Sequence, residues 1–171
     1  MTSILILSDS HGLTEEVNTI RQRHINEVDH CVHCGDSELS FEAKELKGYK
    51  KVAGNCDIDD QYPDEIDYSI KDLHFFVTHG HLFQVKTTLM PLSYRAEELG
   101  ANVICFGHSH IAGAEKVKDK LFINPGSIRL PRARTEGTYA IITWDDKKKV
   151  LVQFYDVAGK IIDDLTYETN L

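Results

Sequence analysis

The chain has 171 residues, 42% of them hydrophobic and 27% charged, with a net charge of −8. This length suits one domain, residues 1–171, with a sizeable core; no apolar run is long enough to span a bilayer, and the acidic balance argues against strong general binding of nucleic acid. It does not argue against phosphate substrates, because carboxylates that hold cations are counted as negative and bound metals reverse the local sign.

Residues 4–7 form a short continuous apolar run, as expected of a strand buried on both faces. The opening residues carry no basic leader, so a strand is predicted there rather than a signal peptide, and a cytoplasmic protein is expected. A helical pattern follows, with Leu13, Val17, Ile20 and His24 on one face and Glu15 and Glu16 in its first turn. Residues 30–34 read as a second strand, 41–46 as a short helix and 50–53 as a third strand. Residues 66–70 and 74–78 read as consecutive strands joined near Lys71 and Asp72. A helix is predicted over 89–99, with Pro91 in its first turn and Gly100 beyond its end. Residues 103–106 are another buried strand, and 114–117, 121–124, 138–144 and 150–156 complete a strand-rich second half. A hairpin turn is expected over 145–148. Strand-helix alternation followed by strands suggests two packed sheets with helices outside.

The four cysteines, Cys31, Cys34, Cys56 and Cys105, do not make a disulfide framework. Cys31 and Cys34 form a C-x-x-C without a second pair; inside an apolar run they read as buried thiols before a zinc or redox pair. Cys105 reads as packing. His24, His30, His33 and His74 alternate with apolar residues or lie on a helix face and read as structural.

Five apolar strands end alike. They run into Ser8-Asp9-Ser10-His11, Gly35-Asp36, Gly54-Asn55-Cys56-Asp57, His79-Gly80-His81 and Gly107-His108-Ser109-His110. In parallel sheets ligands bind beyond the carboxyl ends of the strands. One rim therefore collects Asp9, His11, Asp36, Asn55, His79, His108 and His110, all metal-ligand types. In the x-separated pairs, alternation along an extended turn is expected to put both side chains on one side. Mixed carboxylate and imidazole donors suit Mn, Fe, Zn, Co or Ni better than Ca or Mg.

This ordered set resembles the calcineurin-like metallophosphoesterase superfamily, and the Gly54-Asn55-Cys56-Asp57 and Asn124-Pro125-Gly126-Ser127 stretches are similar to its small YfcE-type phosphodiesterases. The resemblance covers nearly the whole chain. It implies a four-layer α/β/β/α sandwich of two mixed sheets flanked by helices. It also implies a metal-dependent phosphodiesterase that hydrolyses a small phosphate ester with a metal-bridging hydroxide, using two divalent ions, Mn foremost. On this resemblance Asp9, His11 and His110 hold one ion, Asn55, His79 and His108 the other, and Asp36 bridges them. Many relatives have a histidine acid where this chain has Cys56, so the leaving-group acid is open, with His81 as the nearest alternative or a structural residue. Asp57 is either a carboxylate that orients a neighbouring group or a plain turn residue. Arg129 and Arg132, after the Asn124 turn, are either phosphate-binding guanidiniums or ordinary loop residues. A phosphomonoesterase and a non-catalytic assembly scaffold, as in the related retromer subunit, are the competing functions. A homo-oligomer is left open.

Overall fold

The computed structural model describes residues 1–147 and 149–171. Its centre is β1 (Thr2–Leu7), whose alternating side chains serve two cores. Ile4 and Ile6 face one cluster, with Val32, Phe75, Val77 and Val103, while Leu5 and Leu7 face another, with Val17 and Ile20. A strand buried on both faces must be apolar throughout, which is why its sequence shows no alternation.

Sheet A has the order β11-β10-β9-β1-β2-β3. It combines β1 with β2 (His30–His33), β3 (Tyr49–Lys51), β9 (Thr138–Trp144), β10 (Val150–Asp156) and β11 (Tyr167–Thr169). Sheet B has the order β4-β5-β6-β8-β7. Its strands are β4 (Glu65–Ile70), β5 (Leu73–Thr78), β6 (Val103–Cys105), β7 (Gly113–Val117) and β8 (Lys120–Asn124). Both sheets are mixed: β1, β2 and β3 run parallel, as do β5, β6 and β8, and the other pairings are antiparallel.

Helix α1 (Glu15–Arg23) covers the outer face of sheet A through Val17 and Ile20. Its acidic first turn and basic last turn both match the helix dipole. Helix α2 (Met90–Leu99) covers sheet B by packing Leu92 and Ala96 against Phe76 and Ile104. The result is the expected four-layer α/β/β/α sandwich. The layer between the sheets contains wholly buried Phe75, Phe154 and Trp144. Each such side chain contributes about 1.5–3 kcal/mol, so sheet-on-sheet burial dominates over the propensity of two short helices. Among the described residues no helix is long and apolar enough to cross a membrane.

Some expectations shift. The predicted helix at 41–46 is a single 3-10 turn, Lys44–Leu46. The Phe41 amide donates to Asp59 Oδ2 at 2.8 Å and its ring packs edge-on against Tyr62, so tertiary ties take it out of helical geometry. β3 begins and ends earlier than expected, and the three-residue edge strand β11 carries no sequence signal of its own. His24 follows α1 and sits between Glu27 and the Tyr139 hydroxyl, a structural role. The Cys31 and Cys34 thiols serve opposite faces of sheet A and stay free, so they form neither a zinc nor a redox pair. Cys105 packs between the sheets. In the expected turn at 145–148, Lys148 lies outside the described residues.

Candidate metal centre

The carboxyl ends of the two parallel sets meet between the sheets and are stitched together there. His79 Nδ1 donates to the Cys34 carbonyl at 2.7 Å, the His108 amide to Asp9 Oδ2 at 3.1 Å, and Ser127 Oγ to the Asp9 carbonyl at 2.7 Å. Gly54 and Gly107 allow this approach. A Cβ on Gly54 would run into the Asp36 carboxylate, and one on Gly107 into Ser8 and Asp9.

The turns are not extended, contrary to the alternation argument. Asp9, His11, Asp36, His108 and His110 all have left-handed backbones, with φ of 53°, 41°, 56°, 68° and 60°. His81 follows Gly80 into a 3-10 turn, with its ring 5.4 Å from that of His79. Non-glycine residues adopt this conformation at a cost of about 1–3 kcal/mol each, and such residues concentrate at functional sites. The x-separated side chains converge because of this curl.

Asp9 Oδ1 lies 3.0 Å from His110 Nε2, 3.7 Å from His11 Nε2 and 3.7 Å from His79 Nε2. Asp36 Oδ2 lies 3.2 Å from His79 Nε2 and 3.9 Å from His11 Nε2, while its other oxygen accepts the Cys56 amide at 2.8 Å. Asn55 Oδ1 is 3.2 Å from His79 Nε2. The ligand-type atoms of Asp9, His11 and His110 lie within 4.8 Å of one another, as do those of Asp9, Asp36 and His79, and those of His11, Asp36 and Cys56. His108 stands outside these groups, its ring 5.1 Å from that of His79. The structure thus brings Asp9, His11, Asp36, His79 and His110 into overlapping groups and sets Asn55 and His108 beside His79.

The histidine tautomers are fixed from outside. His79 Nδ1 donates to Cys34 O, and His110 Nδ1 donates to Leu130 O at 2.7 Å. His11 Nδ1 pairs with Glu38 Oε1 at 2.6 Å. In the neutral ring each Nε2 is then a lone-pair donor pointing at the carboxylates, the arrangement that metal-binding histidines use. Asp9 Oδ1 is buried and accepts no hydrogen bond among the described residues; His110 Nε2, though near, is not aligned to donate to it. A buried carboxylate oxygen left this way lacks a partner of positive charge, and the donor set fits a divalent cation.

Protonation follows the same demand. Burial pushes Asp9 up, but the imidazoles of His110 and His79 and the Ser8 hydroxyl more than reverse it. Asp36, despite burial, is held well below the usual carboxylate range by His79. His79 is raised by Asp36 and Asp9 against its burial, and His110 is raised chiefly by Asp9. His108 is pushed down to about 4, first by burial and then by His79 and Lys86. His81 is lowered by burial and by His79, and its Nδ1 is buried without a partner among the described residues. The exposed Cys56 thiol is pushed up to about 11, by lost solvation and then by Asp36.

Asp57 is no plain turn residue. It accepts the amides of Asp36 at 2.8 Å, Gly54 at 2.7 Å and Glu38 at 2.8 Å, tying the loop after β2 to the loop after β3. Arg129 donates to the His11 carbonyl, so its guanidinium braces a turn, while Arg132 lines a neighbouring cleft. Glu38 escaped the sequence reading, and Ser127 was read only as part of the stretch after Asn124, not as a support of Asp9. Glu38 matches no ligand motif, and Ser127 acts through a backbone carbonyl that leaves no spacing signal. His33, wholly buried, accepts the Gly35 amide on Nδ1 and so donates from Nε2 to Ser10 Oγ.

Residues 2–147 match the model of the calcineurin-like phosphoesterase superfamily domain. The chain belongs to this superfamily. Phosphoesterases of this superfamily use divalent metals, in keeping with the ligand groups above. The probable metallophosphoesterase YsnB of Bacillus subtilis is 53% identical over 169 residues, covering 99% of each chain. A phosphodiesterase of Methanocaldococcus jannaschii is 31% identical over 71% of this chain and 81% of its own. The crystal structure of a conserved, uncharacterized predicted phosphoesterase from Streptococcus pneumoniae superposes with a TM-score of 0.94 at 33% identity, covering 99% of this chain and 98% of that one.

Proposed function

We propose that this phosphoesterase is a dinuclear metal-dependent phosphodiesterase acting on a small phosphate ester, with weaker action on monoesters. The observation that carries the reading is the set of three imidazoles, of His11, His79 and His110, each tied at Nδ1 and presenting Nε2 to two buried carboxylates. In this reading Asp9, His11 and His110 hold one cation, Asn55, His79 and His108 a second, and Asp36 both. Bound there, divalent cations, Mn foremost with Zn, Ni, Fe or Co as alternatives, supply Lewis acidity that offsets phosphoryl charge and makes water acidic enough to yield hydroxide near neutral pH.

The side chains do the rest. Glu38, Cys34 and Leu130 orient the three imidazoles, and Asp57 holds the Asp36 and Gly54 amides in place. No side-chain nucleophile is required. The diester preference rests on the protonation of the leaving group. Cys56 is a weak acid as a thiol and has no proton to give if neighbouring cations make it a thiolate, and burial and His79 lower the His81 pKa, so neither replaces an imidazolium. Leaving groups that need no proton are then favoured, and the identity to an archaeal phosphodiesterase supports the same choice.

The test is kcat/KM for bis(p-nitrophenyl) phosphate, p-nitrophenyl phosphate and an alkyl monoester, with each candidate metal. The diester is expected to exceed the alkyl monoester by more than about a hundredfold, the lower end of what acid catalysis supplies. A preference for monoesters assigns a phosphomonoesterase instead, and no turnover of any ester with any metal assigns a scaffold.

A further inference from the structure

A cleft of about 460 Å³ adjoins the His108–His110 turn and runs along the α2 side of sheet B. Val85, Leu89, Phe106 and Phe122 give it an apolar wall, and its charged lining is Lys86, Arg132 and the exposed Glu115 on the edge strand. The Arg132 amide donates to the His110 carbonyl at 3.0 Å, and the Lys86 charge is near enough to His108 to act on its protonation. The cleft therefore sets an apolar wall beside two cations, Lys86 and Arg132, that flank the candidate metal centre. A phosphate ester has the same polarity: an anionic head and an organic substituent.

Gly113 opens this space. It lies on the edge strand β7, paired with Asn124, and faces the same side as Phe122. A Cβ built on it meets nothing within 4 Å. Its backbone is not left-handed, so no turn geometry demands glycine there. Glycine weakens a strand and otherwise marks a place where a ligand or another backbone comes close. The volume and the mostly apolar lining with few polar groups are those of a small-molecule site.

We propose that this cleft receives the organic group of the substrate, that the group is apolar and ring-bearing, and that the bare Gly113 sets how large it can be. The inference rests on the phosphodiesterase reading and deepens it. Lys86 and Arg132 draw the anionic head toward the centre while the ring lies against Phe106 and Phe122.

The test holds the chemistry constant. Ethyl p-nitrophenyl phosphate and 2-(1-naphthyl)ethyl p-nitrophenyl phosphate lose the same nitrophenolate and differ only in the retained group. The wild-type enzyme should favour the naphthyl ester in kcat/KM by about tenfold or more. Gly113→Ala, Gly113→Val and Gly113→Leu should erase that preference in order of size, leaving the ethyl ester unchanged. If the leucine variant fails to fold, the first two still carry the trend. Separately, EDTA-treated protein should bind 2-(1-naphthyl)ethylphosphonate, with Kd raised about tenfold by Gly113→Val. No preference in the wild type, an equal fall for both esters in the variants, or phosphonate binding indifferent to residue 113 would overturn the proposal. Failure of the ethyl ester to react with any metal would refute the phosphodiesterase reading, and the phosphonate measurement would then still decide the cleft.

Discussion

Replacing Asp57 tests whether Asp36, the proposed bridging carboxylate, is held by its surroundings. Its carboxylate accepts three amides, those of Asp36, Gly54 and Glu38, at 2.7–2.8 Å. Hydrogen bonds to a charged group are worth about 1.5–3 kcal/mol each. Asp57 is only partly buried and the exposed Glu38 amide can return to water, so two bonds at the low end, about 3 kcal/mol, are expected to be lost in Asp57→Ala. For a chain of this size that corresponds to a fall in Tm of about 6–12 °C. Asp57→Asn should fall by roughly half as much, because its one oxygen can still accept the Asp36 and Gly54 amides, now as a neutral acceptor of about half the strength, while its amide group faces the Glu38 amide. The loosened loop carries Asp36, so metal content should fall in the same order. The assay is a thermal melt in EDTA, with metal analysis of the same variants purified without it. A Tm within about 2 °C of wild type, with wild-type metal content, would show that Asp57 does not support the site.

Asp36→Ala should lose one or both metals and nearly all activity, read by metal analysis and turnover; full occupancy and near-wild-type turnover would contradict the bridging role. Cys56→His should raise alkyl monoester hydrolysis by about a hundredfold while changing aryl diester hydrolysis little, read as kcat/KM with one metal; a wild type that already prefers alkyl monoesters would mean that Cys56 does not limit protonation. His33 gives a pH prediction for the EDTA-treated protein. Burial lowers its pKa to about 4 from 6.5, so as pH falls from 6.5 to 4 the unfolded chain takes up a proton that the folded chain refuses, and stability drops by up to about 3 kcal/mol. That contribution is fully present above pH 6.5. His33→Gln should flatten this part of the denaturant-derived stability profile, whatever its absolute stability, and an unchanged slope would reject the assignment.

The site's composition was legible because each ligand type follows a predicted strand, and the carboxyl ends of parallel strands gather at one rim. Asp9, His11, Asp36, Asn55, His79, His108 and His110 were placed together on that ground. The geometry that makes them converge was not legible. Five non-glycine residues curl into left-handed conformations that propensity disfavours, held by contacts from distant strands such as that of Ser127 with Asp9. Supporting groups were also hidden. Glu38 and the carbonyls of Cys34 and Leu130 act on Nδ1 atoms across 20 or more residues of sequence. The fold followed the same division. The central strands and α1 showed in the hydrophobic pattern and α2 in its flanking Pro91 and Gly100, whereas β11 exists only because β10 offers it an edge, and the helix expected at 41–46 gives way to the ties between Phe41 and residues 59 and 62.

The most direct test of a dinuclear centre is a titration of metal-stripped protein with Mn, reading bound metal per chain and bis(p-nitrophenyl) phosphate turnover on the same samples. Two ions per chain are expected, with turnover tracking the second, and His79→Ala should bind one ion and stay inactive. Binding that saturates at one ion with full turnover, or two ions bound with no turnover of any phosphate ester, would contradict it.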